Sequence, residues 1–401
     1  MKILLLSDEF PPDGTGGDGA IVSNLARGYK ERGHDVYVVA AAHSAVNAGH
    51  HTWEGIPVEK IYAPYHPRLH AWVSLYNPRS VRMVKKVLAE FKPDVVHVHG
   101  VNRFLSYYTI VLARKSGARV YLTAHDAMLY HYGKALDETY ISGWSLFRLH
   151  KLAYNPIRNF LIKRILRHVS GVISVSESLA RALRANDIRV TAVIHNGIDV
   201  NAWTVSDSAA IDFKKKYGIG NHAILFGGRL SGLKGAFVAV EALAKVLEKV
   251  PDAQLLVLGT QNEIAEKMLV RAREQGIDAS IVFTGRISGA ELRAAYNAAT
   301  VIIVPSLYLD PFPTMNLEAF ACRKPVVATK FGGSSEIVRD RVTGFIVDPN
   351  DTSMVADRII ELLENPVLSR SFGEAGRNVL EKDFTITQQV QKYLSLFTEV
   401  A

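Results

Sequence analysis

Short apolar runs rich in valine and isoleucine recur along the chain with helix-length stretches between them, at residues 3–7, 35–41, 58–63, 94–100, 119–124, 171–175 and 190–195. An uninterrupted apolar strand has no solvent face, which places it in a parallel sheet covered by helices on both sides. Residues 1–200 therefore read as a doubly wound α/β sheet. A second series follows at residues 223–227, 254–258, 280–284, 300–305, 325–328 and 344–348, so the architecture is repeated rather than extended. The expected fold is two α/β domains facing each other across a cleft that holds a phosphate-bearing small molecule.

The 401-residue length is about twice that of a usual domain and agrees with two cores. Between the two series, residues 201–220 carry Ser206, Asp207, Ser208 and three successive lysines but no strand pattern. A hinge is expected near residue 200, giving domains 1–200 and 201–383. Residues 384–401 have apolar positions at helical spacing, and this helix is expected to pack back near the hinge. The single cysteine, Cys322, rules out an internal disulfide. The apolar run after Met1 is too short for a signal-peptide core, and no stretch reaches the roughly 18 apolar residues that span a bilayer. The expected address is cytoplasmic, peripheral at most.

Ligands of open parallel sheets bind beyond the carboxyl ends of the strands, which directs attention to the loops that follow them. The first strand runs into Gly14-Thr15-Gly16-Gly17 and then a helical pattern, so Gly16 and Gly17 are candidate ligand contacts at a helix start. The glycine spacing is not that of a dinucleotide fingerprint, which disfavours NAD. His125-Asp126 follows the strand at 119–124, with His125 as acid, base or hydrogen-bond donor and Asp126 to orient it or bind substrate. His97 and His99 read as packing or rim residues.

The second domain carries the stronger signals. Gly227-Gly228-Arg229 and Lys234-Gly235 set two cations in a glycine loop after a strand, suited to gripping a diphosphate. Asp310 and Glu318 then flank Pro313-Thr314-Met315-Asn316, where Pro313 suits a helix start and the amides of Thr314, Met315 and Asn316 are expected to hold phosphate. Glu318 lies one turn further, placed to accept sugar or ribose hydroxyls.

Taken together, Gly228-Arg229-Leu230, Lys234-Gly235, Asp310, Glu318, Pro325-Val326-Val327-Ala328, His195-Asn196-Gly197 and Gly332-Gly333 resemble the retaining family 4 glycosyltransferases of GT-B fold, over nearly the whole chain. The resemblance implies two Rossmann-like domains, the first on the acceptor side and the second binding the nucleotide-sugar. Such an enzyme moves a sugar from a nucleotide diphosphate donor, UDP-sugar by preference and GDP-sugar otherwise. The acceptor is a glycan or lipid-linked molecule, as in cell-surface polysaccharide or glycolipid synthesis. By that resemblance Arg229 and Lys234 hold the diphosphate, Glu318 binds ribose, and Asp310 and His125 lie near the donor sugar. Arg286 and Ile287 contact the base, while Asn196 and Gly228 contribute to substrate binding. No metal and no further cofactor are implied, since cations and a helix tip carry the charge work. Three positions depart from the family pattern: Asp310 stands where glutamate is usual, and Pro313 and Arg323 where glycine is common. A nucleotide-sugar epimerase of similar shape and a non-catalytic sugar-binding protein are the alternatives; neither needs a second sugar acceptor.

Charge is uneven. Residues 1–200 hold 25 Lys+Arg and 16 Asp+Glu, a balance of +9, leaving 22 and 23, or −1, for the remainder. Residues 141–176 contain no acid, yet Arg148, Lys151, Arg158, Lys163, Arg164 and Arg167 lie among apolar side chains. The span 146–168 is a candidate contact for an anionic membrane or a lipid-linked acceptor. A core helix with a basic solvent face is the plainer alternative. No nucleic-acid partner is expected.

Overall fold

The computed structural model describes residues 1–14, 17–203 and 205–399, which divide into two units. The first comprises Met1–Gly197 together with Ile386–Ala401, and the second is Ile198–Thr385. The chain thus leaves the first unit just before the expected hinge and returns to it for the last helix.

In the first unit the strands are β1 (Lys2–Ser7), β2 (Asp35–Ala41), β3 (Gly49–Trp53), β4 (Ile56–Ile61), β5 (Val95–Val98), β6 (Arg119–Ala124), β7 (Gly171–Ser174) and β8 (Ala192–Val193). They form one sheet in the order β3-β4-β2-β1-β5-β6-β7-β8, parallel throughout except for the β3–β4 pair. The antiparallel edge strand β3 went unread in the sequence because its middle residues, His50, His51 and Thr52, are polar and exposed. Central strand β1 is the opposite case. Its Ile3, Leu4, Leu5 and Leu6 are fully buried, which is why the apolar run could be read without ambiguity.

The final helix, Ile386–Thr398, is part of this first core. Val390, Tyr393, Leu394 and Phe397 pack among Ile3, Leu5, Tyr29 and Tyr121. Tyr393 also bonds Thr123 at 3.0 Å, and Thr123 lies 2.8 Å from His97 Nε2.

In the second unit, β9 (Ala223–Gly227), β10 (Gln254–Leu258), β11 (Ile281–Gly285), β12 (Val301–Val304), β13 (Val326–Thr329) and β14 (Gly344–Val347) make an all-parallel sheet in the order β11-β10-β9-β12-β13-β14. The order reverses at β9, whose neighbours are β10 on one side and β12 on the other. In the first sheet it reverses at β1, between β2 and β5. Loops at such a switch point diverge to opposite sides and leave a crevice at the carboxyl ends of the strands.

One glycine shows how tightly the loop after β9 is seated. Gly235 adopts φ +86°, and a Cβ there would lie 2.1 Å from the Pro305 carbonyl oxygen. By contrast Gly218, at φ +66°, would meet nothing within 4 Å. Gly218→Ala should therefore cost only the left-handed penalty of about 1–2 kcal/mol, and Gly235→Ala distinctly more. Urea unfolding of the two variants checks this; equal losses would mean that the loop gives way freely.

Candidate active site

The loop after β9 and the start of the helix Thr314–Ala321 meet within the second unit. A Cβ on Gly228 would stand 4.0 Å from Met315 Sδ, and Lys234 Nζ donates to Asp310 Oδ2 at 2.6 Å. Ser306, just beyond β12, donates its hydroxyl to the same carboxylate oxygen at 2.8 Å. Asp310 is buried, so its charge depends on these two partners. Its backbone is gripped as well: Gly333 N donates to Asp310 O at 2.8 Å, and Gly332, at φ +76°, passes so close that any Cβ would strike that oxygen. Hence Gly332-Gly333, expected from the sequence only as a motif, fixes the acidic loop in place.

Lys234 was expected to hold the diphosphate and Asp310 to lie near the donor sugar; here the two are paired with each other. The ammonium keeps hydrogens to spare, since Lys carries three donors. Arg229 is exposed, and among the described residues its guanidinium makes no ion pair. The result is a single uncommitted cation beside a shared one.

At the helix tip, the amides of Thr314 and Met315 have no backbone acceptor among the described residues, as a phosphate site requires. Asn316 differs from expectation. Its amide donates to the Pro313 carbonyl at 3.1 Å, and its fully buried side chain donates to Ser334 Oγ at 3.2 Å. It ties the helix to the start of the helix Ser334–Ile337, while its buried Oδ1 has no partner among the described residues. Pro313 itself is the N-cap, with φ −63° and ψ 110°, one position ahead of the expected first turn.

Glu318 accepts hydrogen bonds from the Tyr296 hydroxyl and the Thr314 side chain. Burial pushes its carboxyl upward, with Tyr296 opposing that shift. Tyr296, which lies 22 positions earlier, was not read as a site residue from the sequence. Arg286 is exposed and Ile287 partly buried, just past β11. They connect inward through Gly259, whose amide donates to Gly285 O and which packs against Gly228 O.

In the first unit, His99 rather than Asp126 partners His125. His99 Nδ1 lies 2.8 Å from His125 Nε2, with the rings stacked at 5.1 Å. Asp126 instead caps the turn Ala127–Leu129, accepting from Met128 N at 2.9 Å and from Asn102 Nδ2 at 3.4 Å. The buried His99 Nε2 and His125 Nδ1 have no partner in the described structure. One proton bridges the pair, so the tautomer of His99 sets which nitrogen of His125 is left basic. Burial holds the His99 imidazole well below its usual range and pushes His97 down to about 3.

Of the packing and rim readings, His97 takes the first: it is fully buried between Tyr29 and Thr123. Asp8, which follows β1, accepts from the amides of Arg103, Phe104 and Leu105, and burial pushes its carboxyl up to about 6. Asn196 is closed off too: it is buried and accepts from Gln389 Nε2 at 3.4 Å. Gly17 begins the helix Gly17–Glu31, while Gly16 lies outside the described residues. A cavity of about 1240 Å³ opens at the amino ends of β1, β5 and β6 beside Lys85, Asp94 and Lys115, the end of the sheet opposite to these loops.

Two family models match the chain, "Glycosyltransferase Family 4" over residues 15–202 and "Glycosyl transferases group 1" over residues 209–379. The chain belongs to glycosyltransferase family 4 and has the GT-B fold. It is 26% identical to a glycogen synthase of Mycobacterium tuberculosis, covering 98% of this chain and 95% of that protein. A phosphatidyl-myo-inositol mannosyltransferase of the same organism is 29% identical over 92% of this chain and 90% of its own. The Anabaena protein Alr3699/HepE, solved in complex with UDP and glucose, shares the fold with a TM-score of 0.76 at 21% identity, each chain covered in full. A glycosyltransferase is therefore established over the epimerase and the non-catalytic alternative. Among the described residues no group of three or more His, Cys, Asp or Glu is placed to hold a metal ion.

Removing Lys234 strands a buried carboxylate, so Lys234→Ala should destabilise the fold by about 3 kcal/mol, and Lys234→Ala/Asp310→Asn should recover most of that loss. Chemical unfolding of the single and double variants decides it. A double variant as unstable as the single one would mean that the pair is not coupled.

The histidines give a pH dependence. A buried neutral His97 binds its proton only near pH 3, whereas the unfolded chain binds one near pH 6.5. Between those values the unfolded state holds more protons, so stability falls as pH falls. Asp8 acts in the opposite sense between about 4 and 6, because its folded carboxyl holds a proton that the unfolded one has lost. His97→Gln should thus make unfolding free energy less steep below pH 6.5 by about 1.4 kcal/mol per pH unit. Urea titrations at a series of pH values test this, and an unchanged slope would show that His97 is protonated in the fold.

Proposed function

We propose that this glycosyltransferase moves a sugar from a nucleoside diphosphate sugar, UDP-sugar first and GDP-sugar second, to a glycan or lipid-linked acceptor, at the inner face of the cell membrane. The observation that carries the reading is the convergence of Arg229, the Lys234–Asp310 pair and the open amides of Thr314 and Met315 in one loop cluster. A pyrophosphate needs such an arrangement: one exposed guanidinium for bidentate contact, one ammonium with hydrogens to spare, and a helix tip of positive potential. The UDP bound by the HepE relative supports the choice of base, and the phosphatidyl-inositol acceptor in a relative's name supports the lipid alternative.

We assign retention of configuration, without a metal ion, to the following step. The bond from the sugar's anomeric carbon to the leaving phosphate oxygen breaks, its electron pair staying on that phosphate. The acceptor oxygen attacks on the same face, and its proton passes to the departing phosphate oxygen. Arg229, Lys234 and the helix tip stabilise the charge that grows on the diphosphate. Asp310 holds Lys234 in position, and its remaining oxygen is available to a sugar hydroxyl. Glu318, oriented by Tyr296, receives the ribose.

Arg229→Ala should lower kcat by roughly 2–4 kcal/mol of transition-state stabilisation, or about thirtyfold to a thousandfold, with little change in the unfolding midpoint. Donor identity is read beforehand from thermal stabilisation by UDP and GDP. Turnover near that of the parent enzyme would remove the assignment.

A further inference from the structure

We propose that the first unit carries a docking surface for a bilayer containing anionic lipid, built by residues 69–76 together with 144–164. This deepens the lipid-linked reading of the acceptor, but its test needs neither donor nor acceptor, so either can fail alone.

The face is assembled from two distant segments. Ala71, Leu146 and Tyr154 form a small buried cluster beneath it, with Tyr132, Ile141 and Phe147 against its edge. Trp72 Nε1 donates to the Leu152 carbonyl at 3.4 Å and locks the first segment to the second. On the outside, Leu152 is 82% exposed, Leu149 68%, Phe160 67%, Trp144 64% and Trp72 44%. Singly exposed apolar residues are ordinary, but large ones gathered on linked segments mark a contact surface.

Charge selects the occupant. Both segments lie in acid-free stretches of sequence, residues 60–89 and 139–176. Arg68, Arg148, Lys151, Arg164 and Arg167 are exposed there, while Lys163 is paired with Asp187 at 3.0 Å. Tryptophan and leucine among exposed cations, on two segments that carry no carboxylate of their own, is the composition of a surface that rests in the headgroup layer. No helix among the described residues is long and apolar enough to cross a membrane, so contact is confined to that layer.

Arg158 corrects the sequence expectation. It is fully buried and donates to the Met128 carbonyl at 2.7 Å and to Ser74 Oγ at 3.3 Å. Asn159 Nδ2 donates to the Tyr130 carbonyl. The base of the face is therefore bonded to the loop that follows His125.

Co-sedimentation with phosphatidylcholine vesicles, with and without about one third phosphatidylglycerol, tests the proposal. Binding should be at least about tenfold stronger to the anionic vesicles and should weaken with salt. Leu149→Ser/Leu152→Ser/Phe160→Ser should reduce partitioning by about tenfold or more, and Arg148→Gln/Lys151→Gln/Arg164→Gln should abolish the anionic preference. Unchanged circular dichroism and thermal midpoints show that both variants fold. Absence of binding to anionic vesicles at low salt overturns the proposal, as does variant binding equal to the parent's. Self-association through this face without vesicle binding would assign it to a second copy of the chain instead.

Discussion

Each sheet depends on the burial of one central strand. Strands β1 and β9 lie inside their sheets with neighbours on both sides, and a strand in that position can carry a polar side chain only where the fold supplies its hydrogen-bond partner, as it does for His97 of β5. What polarity these segments have is displaced to their carboxyl ends, into Ser7-Asp8-Glu9 and Gly227-Gly228-Arg229. Because the strand order reverses at the same two strands, the displaced polar residues fall at the crevice. Core packing and ligand binding are two results of one topological constraint.

The polar groups gathered there are mostly held by one another. Asp310 is served by Lys234 and Ser306, Glu318 by Tyr296 and Thr314, Asp8 by three backbone amides, and His125 by His99. Buried or half-buried charges have to be satisfied, and within each unit they are satisfied largely by neighbouring groups. Among the described residues, Arg229 makes no ion pair, the amides of Thr314 and Met315 have no backbone acceptor, and the buried His99 Nε2, His125 Nδ1 and Asn316 Oδ1 have no partner.

Much of this was legible in the sequence. Buried parallel strands such as β2, β6, β9 and β10 have no rival reading, and their ends agree residue for residue with the expectation. The glycine loop with Arg229 and Lys234 was legible because cations between glycines after a strand have few structural uses. Three kinds of feature were not. Partnerships across the fold, Lys234 with Asp310 or Tyr296 with Glu318, join residues with no shared local pattern. The burial of Arg158 and Asn196 was invisible, because their residue types usually mark surface or ligand. The edge strand β3 lacked the apolar signal on which the other strands were recognised.

The return of the last helix to the first unit has a consequence for biosynthesis. Tyr393 and Phe397 complete the packing around His97 and Tyr121, yet they leave the ribosome only after the entire second unit has been made. The first unit can collapse early but cannot close its interior until residues 386–398 have emerged, so an apolar seam stays open while the second unit is being made.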